Sequence, residues 1–195
     1  MIESWQINGG TLEFDTEHHT YYYDGIRLPS VTSLIAKAFP NKYANIPKAT
    51  LEEASKKGTA VHEAIERYEA TGEEADLKEL RNYKVLKRLH GFTTKESEKP
   101  VVICVDGVPA VAGRLDMITE QDGQIGVEDI KRTSAVDKNA LFLQLNWYAI
   151  GYEQMTGEKI SYLKCLHLRE DVRKRIDIPL NAERALAELK KLLEA

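Results

Sequence analysis

The sequence lacks the long apolar run and the leader pattern that would direct it into or across a membrane. No window of its 195 residues approaches the roughly 18 consecutive apolar residues of a membrane-spanning helix. The first residues, Met1-Ile2-Glu3-Ser4-Trp5, lack the basic and then apolar pattern of a signal peptide. No repeat, low-complexity segment or linker interrupts the chain. We therefore expect a cytoplasmic protein in which residues 1–195 form a single domain.

The chain also has few cysteines and no net positive charge. The two cysteines, Cys104 and Cys165, are too few for a four-cysteine zinc or iron–sulfur site, and their apolar neighbours predict buried free thiols. The net charge of −4 argues mildly against nucleic acid, because nucleic-acid-binding proteins usually have a basic face. An acidic metal site would lower the net charge without altering a DNA-binding groove, however. Local basic clusters, which are equally consistent with solvated faces, occur at Lys56-Lys57, Lys84, Lys87-Arg88, Lys131-Arg132, Lys138, Arg169 and Arg173-Lys174-Arg175.

The hydrophobic period changes from helical to strand-like and back along the chain. Residues 1–92 are predicted to form a hairpin and helices, 95–156 a meander and a helix, and 159–195 two strands and a helix. Predicted helices are 31–39, 48–70, 75–89, 137–155 and 181–193. Predicted strands are 100–105, 108–119, 124–131, 159–168 and 172–178, besides the hairpin at 11–28. Helices before and after a central sheet predict an α/β fold, with a mixed β-sheet layered between helices.

Acidic residues occupy two neighbouring predicted strands where apolar residues are usual. A two-residue turn at Asp122-Gly123 fixes the register of these strands. This register pairs Gln121 with Gln124, Ile118 with Val127, and Asp116 with Asp129. Two carboxylates directly opposite each other repel, and Lys131 shares the face of Asp129 because side chains alternate along a strand. A divalent cation between the carboxylates, with an ammonium group beside it, is the simplest arrangement that a sheet would tolerate.

The combination of Asp116, then Asp129-Ile130-Lys131, then Gln144 and Tyr148 resembles the PD-(D/E)xK nuclease superfamily. Within the superfamily it is similar to the RecB-like exonucleases and their phage relatives, over about residues 55–150. The segment Gly58-Thr59-Ala60-Val61-His62 resembles the upstream motif of that branch. The resemblance implies a restriction-endonuclease-like layered sandwich that hydrolyses DNA and leaves 5′-phosphates. The cysteine-ligated iron–sulfur cluster of some relatives is not expected here.

Each matched residue has a role that fits its chemistry. Mg²⁺ and Mn²⁺ prefer oxygen ligands, which Asp116, Asp129 and the main-chain carbonyl of Ile130 would supply. The resemblance implies that His62 is a further metal ligand, and imidazole would favour Mn²⁺. The metal would lower the pKa of bound water. Lys131 would position the attacking water and neutralise charge in the transition state.

Four further residues complete the set of candidates. Gln144 and Tyr148 project from one face of a predicted helix, and the resemblance implies that they contact DNA or order the site. A surface amide and a tyrosine at the edge of the core are the alternative. Glu98, placed before the first strand of the meander, would either point at the metal or end a solvated loop. Glu128 should face the opposite side of the sheet from Asp129, which excludes it from the site.

These features predict a metal-dependent deoxyribonuclease, and more specifically an exonuclease acting in recombination, repair or phage DNA processing. One alternative is a site-specific or nicking endonuclease with the same metal chemistry. Another is a catalytically silent module that binds DNA or a protein. The resemblance makes DNA ends the expected partner, with a recombination or annealing protein and a homo-oligomer as further options. Polarity, strandedness and the choice between DNA and RNA are left open.

Overall fold

The computed structural model describes residues 1–40 and 46–194, which form five helices and two β-sheets. The helices are α1 (Val31–Ala38), α2 (Lys48–Thr71), α3 (Lys78–His90), α4 (Lys138–Thr156) and α5 (Ala182–Glu194). The strands are β1 (Ile2–Ile7), β2 (Gly10–Asp15), β3 (Thr20–Tyr23), β4 (Ile26–Leu28), β5 (Thr93–Val105), β6 (Val108–Gln121), β7 (Gln124–Lys131), β8 (Ile160–Leu168) and β9 (Arg173–Ile178). The predicted α/β class and mixed sheet are therefore confirmed.

The central sheet has the strand order β5-β6-β7-β8-β9 and carries helices on both faces. Strands β7 and β8 run parallel, with α4 as the connection between them, and the other neighbouring strands run antiparallel. One face packs against α1, α4 and α5 through a large apolar core centred on Trp147 and Leu145. The other face packs against α2 and α3 through Val61, Ile65 and Tyr83. No helix in the described ranges is long and apolar enough to span a bilayer.

Helix α4 lies at the centre of this core and brings its polar residues close to the sheet. The side chain of Asp137 caps its first turn by accepting hydrogen bonds from the backbone N–H groups of Asn139 and Ala140, both at 3.1 Å. Trp147 is fully buried, and its indole N–H donates to the carbonyl of Ala185 at 2.8 Å. Because most of the helix is buried, a polar residue such as Gln144 is directed into the protein and not towards solvent.

The N-terminal sheet extends the predicted hairpin at its N-terminal end. It is a four-stranded antiparallel meander, β1-β2-β3-β4, which packs on β5 and β6 through residues such as Leu12, Tyr23 and Val102. Strand β1 was not predicted, although the turn that joins it to β2 has a sequence signal. Asn8 and Gly9 adopt φ values of +52° and +83°, and an Asn-Gly pair with two positive φ values is typical of a type I′ hairpin turn.

The predicted register of the central hairpin is correct as far as the strands pair. Gln121 pairs with Gln124, and Ile118 pairs with Val127. Strand β5, in contrast, begins at Thr93 and not at Pro100, so that Glu98 lies inside a strand instead of in a loop before it. Of the two cysteines, Cys165 is a buried free thiol as expected, whereas Cys104 is half-buried.

Candidate metal centre

Strands β6 and β7 separate beside Asp116, and this separation opens the candidate site. The last pair of their ladder is Met117 with Glu128, one position before the predicted pairing of Asp116 with Asp129. Instead, Oδ2 of Asp116 accepts a hydrogen bond from the backbone N–H of Ile130 at 2.7 Å. A side chain thus satisfies a backbone group that the neighbouring strand no longer reaches. The two aspartates remain on adjacent strands, but they are not a directly opposed pair.

His62 on α2 faces this gap with both ring nitrogens engaged. Its Nε2 lies 3.1 Å from the carbonyl oxygen of Ile130 and donates to it. Its Nδ1 lies 3.6 Å from Oδ2 of Asp116 and 3.9 Å from Oε1 of Glu98. A proton held on Nε2 leaves the Nδ1 lone pair of the neutral imidazole directed at the carboxylates. The predicted role of the Ile130 carbonyl as a metal ligand stays a prediction, because here this oxygen orients His62.

Glu98 completes a cluster of three residues that each offer one ligand atom. It lies on β5 between the pairs Ser97–Met117 and Lys99–Leu115, which places it across from Asp116. Its φ of +49° is unusual for a non-glycine residue within a strand, and such backbone strain costs about 1–3 kcal/mol and is common at functional sites. The ligand atoms of His62, Glu98 and Asp116 all lie within 4.8 Å of one another.

The carboxylates of the site hold His62 in its protonated form when no metal is bound. Burial alone would lower the pKa of His62, but Asp116, Glu98 and Asp129 outweigh burial and raise it to about 9, against 6.5 for an ordinary histidine. The imidazolium therefore carries positive charge in the place where a cation would otherwise be needed. A metal ion that binds Nδ1 has to displace this proton.

Asp129 and Lys131 form a buried ion pair next to the cluster. Asp129 is 1% exposed, and its Oδ1 accepts hydrogen bonds from Nζ of Lys131 at 2.8 Å and from Nε2 of Gln144 at 2.9 Å. Its Oδ2 lies 2.6 Å from the same ammonium group, yet it has no hydrogen-bond partner of good geometry among the described residues. Burial raises the pKa of Asp129, and Lys131 opposes that shift. Burial would lower the pKa of Lys131, but Asp129 and Asp116 raise it.

This donor set fits a divalent cation. Carboxylate oxygens from Glu98 and Asp116 with one imidazole nitrogen match the ligands that Mn²⁺ and Mg²⁺ accept, and the imidazole favours Mn²⁺. Oδ2 of Asp129 is a buried carboxylate oxygen that lies 2.6 Å from Nζ of Lys131 without a well-directed hydrogen bond, and a carboxylate oxygen of this kind can also bind a cation. Asp129 is outside the three-residue cluster, because its carboxylate is held by Lys131 and Gln144. Its metal-binding role stays a prediction.

The two candidates on α4 have different environments. Gln144 is half-buried and donates a hydrogen bond to Asp129, and its role in ordering the site stays a prediction. Tyr148 is only 2% exposed and packs over Gly113, where an added Cβ would lie 2.9 Å from its ring. Burial raises the pKa of Tyr148 well above 10, so its hydroxyl stays protonated. The side chain of Tyr148 thus lies in the core, near Asp116, Asp129 and Gln144. The expectation that it contacts DNA or orders the site stays a prediction.

Glu128 lies on the opposite face from the site, as predicted. It is fully buried, and its carboxylate accepts hydrogen bonds from Thr119 at 2.9 Å and from Arg175 at 2.6 Å. Arg175 belongs to the basic run Arg173-Lys174-Arg175, for which a solvated face was one interpretation, but its side chain is only 3% exposed. Alternation along β9 gives no means of separating Arg175 from the exposed Arg173, because residues two apart share a face.

Comparisons with known proteins add little to this geometry. No protein-family model matches the chain, and no curated protein matches it either. Among 17 matching chains of solved structures is the archaeal protein SSO0001, at 16% identity and a TM-score of 0.41. The match covers 85% of this chain and 74% of that one. A likeness this distant supports neither a fold family nor a function.

Proposed function

We propose that the protein is a metal-dependent deoxyribonuclease of the RecB-like PD-(D/E)xK type, with the restriction-endonuclease-like sandwich of that superfamily. The observation that carries the proposal is the convergence of His62, Glu98 and Asp116 within 4.8 Å, beside a buried carboxylate that is paired with a lysine. Carboxylates, an imidazole and an ammonium group in one place suit phosphodiester hydrolysis, which requires a cation and a second positive charge.

In this proposal His62, Glu98, Asp116 and Asp129 hold Mg²⁺ or Mn²⁺. The bound ion supplies Lewis-acid stabilisation of negative charge on a phosphoryl oxygen. The chain's own residues do the remaining work. Asp116 keeps β6 and β7 at a fixed separation through the N–H of Ile130. Gln144 holds Asp129 in one orientation through Oδ1, so that Oδ2 can face the ion.

Lys131 supplies the second positive charge. Its ammonium group is anchored by Asp129 and is partly exposed, at 29% of the side chain, so that it can also contact a substrate phosphate. A lysine in this position orients the attacking water and neutralises charge that develops on the phosphoryl oxygens. The preference for an exonuclease over a site-specific or nicking endonuclease rests on the family resemblance.

A nuclease assay with two site variants tests the proposal. The purified protein should degrade linear DNA in the presence of Mn²⁺, whereas Asp129→Ala and Lys131→Ala should lower the rate about 100-fold or more. Lys164→Ala is the matched control, because Lys164 is also a partly buried lysine paired with an aspartate, Asp177, on the same sheet. This variant should keep full activity. Degradation that survives both site substitutions would contradict the proposal.

Two further measurements separate the alternatives. A closed-circular substrate should resist an exonuclease, which needs an end, but not an endonuclease. Calorimetric titration with Mn²⁺ should give heat for the wild-type protein and none for Asp116→Ala. A catalytically silent module without a metal site would give no heat for either protein.

A further inference from the structure

Two aromatic side chains and an arginine form a shelf beside the candidate metal centre. Trp5 on β1 and Phe14 on β2 are half-buried on the inner face of the N-terminal sheet. The guanidinium carbon of Arg114 lies 5.2 Å from the centre of the Trp5 ring and 5.3 Å from that of Phe14. Arg114 also pairs with Glu3. We call Trp5, Phe14 and Arg114 the aromatic shelf.

The shelf and the metal centre are joined through β6. Arg114 and Asp116 are two residues apart on this strand, so their side chains leave the same face about 7 Å apart along it. Tyr21, which stacks on Phe14 at 4.5 Å, is close enough to both Arg114 and Glu98 for each to affect its pKa. A molecule bound at the metal centre would therefore extend directly onto the shelf.

The charges around the shelf favour an uncharged ring over a phosphate. The positive charge of Arg114 is already neutralised by Glu3, and Glu66 and Glu98 lie near enough to interact with each other. The negative charge of an added phosphate would be repelled by these carboxylates, whereas an uncharged nucleobase would not be repelled. Aromatic rings and guanidinium planes are the surfaces on which proteins stack unpaired bases.

Unsatisfied polar groups point to the same region. Among the described residues, the buried side-chain atoms without a hydrogen-bond partner are Oδ2 of Asp129 and Nε of Arg114. One is an acceptor at the metal centre, and the other is a donor at the shelf.

We propose that the aromatic shelf stacks an unpaired nucleobase of the DNA strand whose phosphate is held at the metal centre. The inference rests on the proposed nuclease function and adds the substrate class. In the interior of a duplex, each base is stacked on both neighbours and paired, so that its faces are not available to a protein. The substrate must therefore be single-stranded at this nucleotide, as a single-stranded end or a frayed end of a duplex.

Tryptophan fluorescence gives a direct test, because the chain has two tryptophans and Trp147 is fully buried. A change in emission on contact with a ligand therefore reports Trp5. Titration with phosphorothioate oligothymidylate, which resists hydrolysis, should quench the emission, and a relaxed closed-circular duplex, which has neither ends nor loops, should not. In a binding assay with labelled oligothymidylate, Trp5→Leu should weaken the affinity about five- to 100-fold, the range expected for the loss of one stacked base.

Tyr22→Leu is the matched control, because Tyr22 lies on β3 between the buried Tyr21 and Tyr23 and so projects from the opposite face of the same sheet. Its affinity should equal that of the wild type. Arg114→Lys keeps the charge but loses the planar group, and should also weaken binding. Thermal melting identifies any variant that fails to fold, in which case the other shelf variant decides. Unchanged affinity in a folded Trp5→Leu protein, or equal quenching by the closed-circular duplex, would overturn the proposal.

The Mn²⁺ titration distinguishes this failure from failure of the proposed function. Heat from Mn²⁺ without quenching by oligothymidylate would contradict base stacking on the aromatic shelf but would remain consistent with a metal-dependent nuclease. Quenching without Mn²⁺ heat would support a base-binding shelf on a protein that is not a metal-dependent nuclease.

Discussion

Glu128 and Asp129 are neighbours on β7 and both are buried, yet their carboxylates, on opposite faces of the sheet, are hydrogen-bonded to different extents. Thr119 and Arg175 saturate the Glu128 carboxylate with hydrogen bonds. Arg175 is in turn covered by the rings of Phe92 and Tyr162, at 4.8 and 5.5 Å from its guanidinium carbon. On the other face, one oxygen of Asp129 receives two hydrogen bonds, and within the described ranges the other receives none.

The difference separates an ion pair that fixes structure from one that is open to a ligand. The Glu128–Arg175 pair is closed, because solvent reaches only 3% of the arginine side chain. It anchors Glu128 on the side of α3, so that Asp129 must face the candidate metal centre. The Asp129–Lys131 pair is open, because the lysine is partly exposed and one carboxylate oxygen receives no well-directed hydrogen bond. The closed pair should therefore govern stability, and the open pair should govern activity.

The largest effect is expected from breaking the closed pair. Arg175→Met leaves the carboxylate of Glu128 buried without its cation, and should lower the free energy of unfolding by about 3–5 kcal/mol. Urea denaturation measures the loss. The double variant Glu128→Leu/Arg175→Met should recover part of it, because both charges are then removed. A loss below about 1 kcal/mol in the single variant would mean that the pair is not structural.

A smaller effect is expected from pH in the metal-free protein. The pKa of His62 is about 9 in the folded state, against 6.5 for an ordinary histidine, so the protonated ring stabilises the fold. This contribution is fully present below pH 6.5 and is lost as the pH rises through 9. With a chelator present, stability to urea should therefore fall more steeply between these pH values for the wild type than for His62→Gln.

Excess Mn²⁺ should reverse this dependence, because the ion competes with the proton for His62 and binds more tightly at high pH. Equal pH slopes for the wild type and His62→Gln, with or without the ion, would show that the carboxylates do not act on His62 in this way.

The smallest effect on stability is expected at the open pair. Asp129→Asn keeps an oxygen for Lys131 and Gln144 but removes a buried charge whose ionisation is disfavoured, as its raised pKa indicates. Its free energy of unfolding should stay within about 1 kcal/mol of the wild type or rise, while Mn²⁺-dependent nuclease activity is lost. A loss of stability as large as that of Arg175→Met would erase the contrast between the two faces.

The arrangement of β6 and β7 could be predicted because its determinants are local. The turn at Asp122-Gly123 sets the register, and alternation then assigns Asp129 and Lys131 to one face and Glu128 to the other. The predicted pairing continued to Asp116 and Asp129, one pair beyond the last observed pair, Met117 with Glu128. A register argument assumes that a ladder continues, whereas here the Asp116 side chain replaces the next strand contact.

The features that the sequence concealed depend on tertiary contacts. Glu98 was expected before a strand, because the polar run Lys95 to Lys99 does not look like β-structure, and its positive φ has no local signal. Arg175 lies in a local basic cluster, and its burial could not be read from the sequence because its partner, Glu128, is 47 positions away. Tyr148 was a candidate for DNA contact, and its burial depends on the space that Gly113 leaves for its ring.

The backbone of Glu98 sets foldability and metal binding against each other at a single position. Glycine would adopt this conformation with little strain and would relax the strand, but it would bring no oxygen to the cation. Selection for stability of the folded state alone would therefore be expected to remove the glutamate. Engineering of more stable variants of this chain should keep Glu98 if metal binding is to be retained.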